Sequence, residues 1–148
     1  MQNRFVVAAG TAICGVAVLA GCSSEPGTSP QPPGSLPPVT ASVTINGKSA
    51  GTTNKVRCWQ DGWLNTIETG DQNSGVRVVV TSGDQLKAES VTINNVGDFN
   101  GSAWQNNIGR AQASMIGSTF RVTGTAEGAT TSDPTKRITA NFDIKANC

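Results

Sequence analysis

Ile138-Thr139-Ala140-Asn141-Phe142-Asp143-Ile144-Lys145-Ala146-Asn147-Cys148 is the stretch that decides the fold. Ile138, Ala140, Phe142, Ile144, Ala146 and Cys148 occupy one parity; Thr139, Asn141, Asp143, Lys145 and Asn147 occupy the other. A period of two over this length is a β-strand with one face buried, because successive side chains point to opposite sides of a pleated chain. A helix would mix the two sets. If the strand runs to its end, Cys148 points inward.

The segment just upstream repeats the period as a hairpin. Gly117-Ser118 reads as a two-residue turn with glycine first, as a type II′ turn prefers. Met115 then faces Phe120, Ala113 faces Val122 and Ala111 faces Gly124, all on one side, so pattern and register agree. Earlier runs follow suit. Val43 and Ile45 alternate up to the turn dipeptide Asn46-Gly47, and Val56 and Cys58 share a face before Asp61-Gly62. A third run covers Trp63 to Thr69. Val76, Val78 and Val80 form the next, and Val91 and Ile93 another, ahead of an Asn/Gly-rich segment ending at Gly109. No stretch after Val39 has helical periodicity. The expectation is all-β, a single antiparallel β-sandwich or flattened barrel of about seven or eight short strands.

Toward the amino terminus the composition changes. Six of the seven prolines lie between Cys22 and Pro38, among Ser, Gly and Thr. Such a segment cannot bury apolar surface, so it reads as a disordered, semi-extended linker. It is a bare spacer that lifts the domain from the lipid, or one glycosylated on its Ser and Thr residues. Before it, Arg4 and the uncharged run Phe5 to Leu19 have the layout of an export signal. The run is short of the ~20 residues a transmembrane helix needs. It ends in Leu19-Ala20-Gly21-Cys22, which resembles the bacterial lipobox. There the Cys22 thiol, the nucleophile best suited to forming a thioether, would take a diacylglyceryl group. Cleavage would leave Cys22 as the first residue, with its amine acylated in turn. Two or three chains anchor firmly, since each buried methylene adds ~0.8 kcal/mol. The expected organisation is therefore 1–21 signal peptide, 22–38 acylated linker and 39–148 β-domain.

Cysteine arithmetic follows from that processing. Cys14 leaves with the signal and Cys22 is acylated, so Cys58 and Cys148 remain, and outside the cytoplasm they should be oxidised to each other. The pair lacks the CxxC spacing of redox sites. Charge is equally plain: without Arg4 the chain keeps ten Lys/Arg against ten Asp/Glu. A neutral chain with no basic cluster is unsuited to nucleic acid.

Catalysis is tested by subtraction. The sequence has no His and no Tyr, hence no Ser-His-Asp or Cys-His arrangement, no HExxH and no histidine metal site. GxSxG, Walker A and GxGxxG are absent. Asp71-Gln72-Asn73-Ser74-Gly75 and Asp98-Phe99-Asn100-Gly101 lack the full ligand set of a calcium loop and read as Asx turns. No enzyme, metal or cofactor is expected. The aromatics leave alternatives open. Trp59 packs near the bridge or faces out beside it. Phe99 and Trp104, in the Gly97–Gly109 loop, line an apolar mouth for a ligand or partner, or seal one end of the sandwich.

Four pieces of sequence carry a family resemblance: Val43-Thr44-Ile45-Asn46-Gly47-Lys48, Val56-Arg57-Cys58, Val122 through Gly128, and Phe142-Asp143-Ile144 with Cys148. With the lipobox and linker they are colinear over the whole chain, which resembles the mycobacterial lipoprotein-antigen family of the nineteen-kilodalton (LpqH) type. The linker departs in being proline-rich where the prototype is threonine-rich. The resemblance implies an acylated β-domain on the extracytoplasmic side of the cell membrane, without enzymatic activity. It also implies antigenicity, and agonism of Toll-like receptor 2, a host pattern-recognition receptor, through acylated Cys22. Two functions stand against each other: a monomeric surface antigen acting by display and non-covalent binding, or a carrier holding an apolar lipid between its sheets. Small inward residues such as Ala111, Ala113, Gly124, Ala126, Ala140 and Ala146 suit either a cavity or close packing.

Overall fold

The computed structural model describes residues 30–148; the export signal, the lipobox and Cys22 lie outside them. The described chain forms ten strands and no helix. They are β1 (Thr40–Ile45), β2 (Lys48–Thr53), β3 (Val56–Asp61), β4 (Leu64–Gly70), β5 (Gly75–Ser82), β6 (Leu86–Val96), β7 (Phe99–Trp104), β8 (Arg110–Ile116), β9 (Thr119–Thr130) and β10 (Ile138–Asn147). All belong to one antiparallel sheet in the order β2-β1-β10-β9-β7-β6-β5-β4-β3, with β8 also paired to β9. The sheet curls into a nearly closed flattened barrel.

The alternating runs are the strands that fill it. From β10, Ala140, Phe142, Ile144 and Ala146 are buried. They meet Val76, Val78 and Val80 from β5, Val91 and Ile93 from β6, and Val43 and Ile45 from β1 in one core. The β1–β2 turn takes positive φ at both Asn46 (49°) and Gly47 (77°), the type I′ geometry that matches strand twist. Asn46 Oδ1 also accepts the Asn141 amide at 2.8 Å, locking this turn to β10. The β8–β9 hairpin has the register read from sequence, Met115 opposite Phe120, Ala113 opposite Val122 and Ala111 opposite Gly124. Gly117 has φ of 59° and Ser118 does not, as type II′ requires.

Two strands were not legible as such. β2 is Lys-Ser-Ala-Gly-Thr-Thr, an edge strand exposed almost throughout, so it carries no apolar alternation. β7 runs through the segment read as a loop. It holds β9 only from Phe99 opposite Thr130 to Ser102 opposite Glu127. β8 then takes its place along β9, from Arg110 opposite Thr125 onward. Between them the chain loops out and is pinned where the Trp104 amide donates to the Ile108 carbonyl at 2.7 Å. β7 and β8 are thus one interrupted row along β9.

The packed region also begins before Val39. The Leu36 amide donates to Thr119 Oγ1 at 2.8 Å, and Asn147 Nδ2 donates to the Leu36 carbonyl. Asn147 and Thr119 are buried polar residues, and Leu36 is what satisfies them.

Candidate functional site

β3 is one of the two end strands of the sheet, and the disulfide holds it. Cys58 and Cys148 are joined with Cα atoms 5.9 Å apart, across 90 residues of sequence. Cys58 lies directly opposite buried Ile67 on β4, so it faces the interior side as its parity required. Cys148 keeps the parity of Ala146 but stands one residue past the end of β10. Both cysteines are nonetheless exposed. The reason is position, since an edge strand and a strand end are covered by nothing on one side. Phe120 and Ile67 flank the bridge in a shallow, largely apolar cleft.

On the outer side of β3 to β7 a single cross-strand row runs Trp59, Thr66, Val79, Ser90, Trp104. Opposed residues share a face, so both tryptophans stand on the outer wall at its two margins. Trp59 therefore faces out beside the bridge. The Arg77 guanidinium lies 5.8 Å from its ring centroid, a contact worth about 0.5–1 kcal/mol at such a site. The adjoining row is charged: Arg57 bonds Glu68 at 2.8 Å, and Arg77 approaches the other Glu68 oxygen at 3.8 Å. These are exposed pairs, of small energetic weight.

Phe99 and Trp104 do not form one mouth. Phe99 is 2% exposed, inside the core, whereas Trp104 is 52% exposed on the wall. Five residues apart on a strand they have opposite parity, and only the loop reading of 97–109 let them be placed together. The alternation in the sequence places Trp63 at the start of a strand. It is instead the second residue of the two-residue turn between β3 and β4, with Asp61 opposite Leu64, and it is 72% exposed. The clue was present: Gly62-Trp63 follows the same glycine-first rule as Gly117-Ser118.

Only the first acidic stretch is an Asx turn; in the second, Asp98 precedes β7 and Phe99 to Gly101 are strand. Asp71 Oδ1 accepts the amides of Asn73 and Ser74 at 3.0 and 3.2 Å, an Asx turn, while Lys55 Nζ bonds its other oxygen at 3.0 Å. The Lys55 hydrogen bond first, and the two amides next, hold the Asp71 carboxyl below its ordinary value. Asp98 accepts the Ser132 hydroxyl at 3.1 Å. Asp143 holds Arg121 through two bonds, at 3.2 and 2.7 Å, which raises the guanidinium pKa further. Among the described residues no group of three or more His, Cys, Asp or Glu side chains is placed to hold a metal.

Comparison with known proteins gives a consistent pattern. Residues 34–148 match the family described as the Mycobacterium 19 kDa lipoprotein antigen. The chain is 40% identical to a lipoprotein of Mycobacterium indicus pranii and 33% identical to lipoprotein LppE of Mycobacterium tuberculosis, in both cases over all of each chain. It is 31% identical to lipoprotein LpqH of Mycobacterium tuberculosis, over 72% of this chain and 67% of that protein. The match to the family begins at residue 34, close to where Leu36 docks on β9 and β10.

Proposed function

The chain belongs to the Mycobacterium 19 kDa lipoprotein antigen family, and on that premise we propose that it is a lipid-anchored display protein of the cell envelope. The observation that carries this reading is the order of parts. A basic start, an uncharged apolar run and Leu19-Ala20-Gly21-Cys22 precede a proline-rich segment and then the domain. Cys22 is the acylated residue, bearing an S-diacylglyceryl group and an acyl group on its amine. The β-domain is held on the extracytoplasmic side, as a monomer. Its outer wall of tryptophans and charged rows is what it presents to antibodies and to envelope partners. The acylated amino terminus is the group that Toll-like receptor 2 would engage. The role is non-enzymatic.

The carrier reading has less behind it. Ala126 and Ala140 are 0% exposed and Ala146 is 1%. Small side chains at such positions let opposing strands approach closely, and Phe99 and Phe142 fill the space between.

Intact mass of the purified protein beside a Cys22→Ala version tests the proposal. An acyl increment on the parent, lost together with membrane retention in the variant, is the expected result. A parent protein that starts at an unmodified residue would overturn it. Response of receptor-bearing reporter cells to the same two samples tests the receptor role, with a signal from the Cys22→Ala protein equal to the parent's as the refuting result.

A further inference from the structure

We propose that the end of the barrel where the tether joins the domain rests on the bilayer, with Trp63 inserted at the lipid interface. This rests on Cys22 being the acylated residue. Strand directions place the parts. Thr40 lies opposite Asn147, and Ala146 lies opposite Phe120. The disulfide brings Cys58 to the end of β10. The Gly62-Trp63 turn, the Gly117-Ser118 turn, Cys148 and the start of β1 are therefore all at one end.

That end is where exposed apolar side chains collect. Trp63 leads at 72%, and Leu64, Val39 and Met115 are each close to half exposed. The turn that carries Trp63 is braced rather than loose. The Trp63 carbonyl accepts the Ser82 amide at 2.8 Å, Asn65 Nδ2 donates to Ser82 Oγ at 2.9 Å, and Gln60 Nε2 donates to the Gly62 carbonyl at 3.0 Å. An indole held out on a fixed backbone loses little entropy on insertion. Its apolar body and single N–H suit the boundary between acyl chains and water.

Tether length selects the partner. Residues 32–36 lie against this same end, with Pro32 packed beside Gly117 and Leu36 bonded to Thr119 and Asn147. From Pro30 back to Cys22 there are eight residues, a reach of at most about 28 Å. The linker thus holds this end near the surface instead of lifting the domain clear. At so high an effective concentration a weakly apolar tip suffices. The charges toward this end are mixed, Asp61, Asp84 and Lys87 with Arg121 bonded to Asp143 and Lys145 opposite Arg121, and form no cationic cluster. The seating is by apolar insertion into neutral lipid, not by attraction to anionic headgroups.

The test uses the full acylated chain in phosphatidylcholine vesicles whose acyl chains are brominated near the headgroup. The parent should float with the vesicles and its tryptophan emission should be quenched. Trp63→Phe should float equally and lose most of that quenching, while Trp104→Phe should keep it. Flotation without quenching, or quenching undiminished in Trp63→Phe, overturns the proposal. So does protection of Trp63 from aqueous iodide in the absence of bromine quenching, which would put a second copy or another protein on the tip. Failure of the parent to float, with an unmodified Cys22 by mass, removes the anchor and this proposal with it.

Discussion

Cys58, on the end strand β3, and Cys148, one residue past β10, are joined with their Cα atoms 5.9 Å apart. β3 has a strand neighbour only on its β4 side. The bridge ties it covalently to the end of β10, a strand paired on both sides. It does so at the surface, where it adds little burial and acts mainly by restricting the unfolded chain.

A loop of 90 residues is worth up to ~4.5 kcal/mol in the chain-entropy model, less any strain in the folded state. Cys58→Ser should therefore lower the urea midpoint strongly while leaving membrane retention unchanged, because bridge and anchor are separate devices. Superimposable melting curves for the variant and parent would count against this account.

Phe142 is 4% exposed on β10, opposite Ile45 and Gly124. Phe142→Ala should cost about 3–5 kcal/mol, the usual loss for a large aromatic removed from a packed core. On the other face of the same strand, Lys145→Ala should change stability by less than about 0.5 kcal/mol. Equilibrium denaturation of the two variants compares them directly; similar losses would mean the period of two had been misassigned.

Asn147 is buried, and its amide donates to the Leu36 carbonyl at 2.6 Å. Asn147→Ala should cost about 1–3 kcal/mol by removing that short bond and leaving the Leu36 carbonyl only the longer one from Gln31 Nε2 at 3.3 Å, and should release residues 32–38 from the barrel. Amide exchange at Leu36, whose N–H donates to Thr119, should speed up well beyond the change at Val122. Unchanged protection at Leu36 would show that the segment is held by something else.

The Asp71 carboxyl titrates below its ordinary 3.8, chiefly because Lys55 donates to it and next because Asn73 and Ser74 do. A depressed carboxyl stabilises the folded turn above its unfolded pKa, and that contribution disappears as pH falls through the folded value. The 71–75 turn should therefore loosen only below about pH 3.8. Asp71→Asn should remove this pH dependence. Chemical shifts of the Asn73 and Ser74 amides through an acid titration read it; a transition near neutral pH would contradict it.

Much of this protein is local and therefore legible in the residues alone. Alternation in β1, β5, β8, β9 and β10 settled the all-β class, because one buried face leaves a period of two. Gly117-Ser118 determined one hairpin and its register, and Asn46-Gly47 marked a turn, through backbone conformations that few residues adopt. Cys58 and Cys148 were identifiable as partners by counting. Only the folded chain decided the rest. β2 was invisible because an edge strand needs no apolar residue, and β7 because its Gly/Asn composition masks pairing supplied by β6 and β9. The curl of the sheet put Trp59 and Trp104 on one outer row, sent Phe99 inside, and gathered Trp63, Leu36 and Cys148 at one end. Those relations join residues far apart in the chain, and no local preference encodes which end of a barrel a distant turn will share.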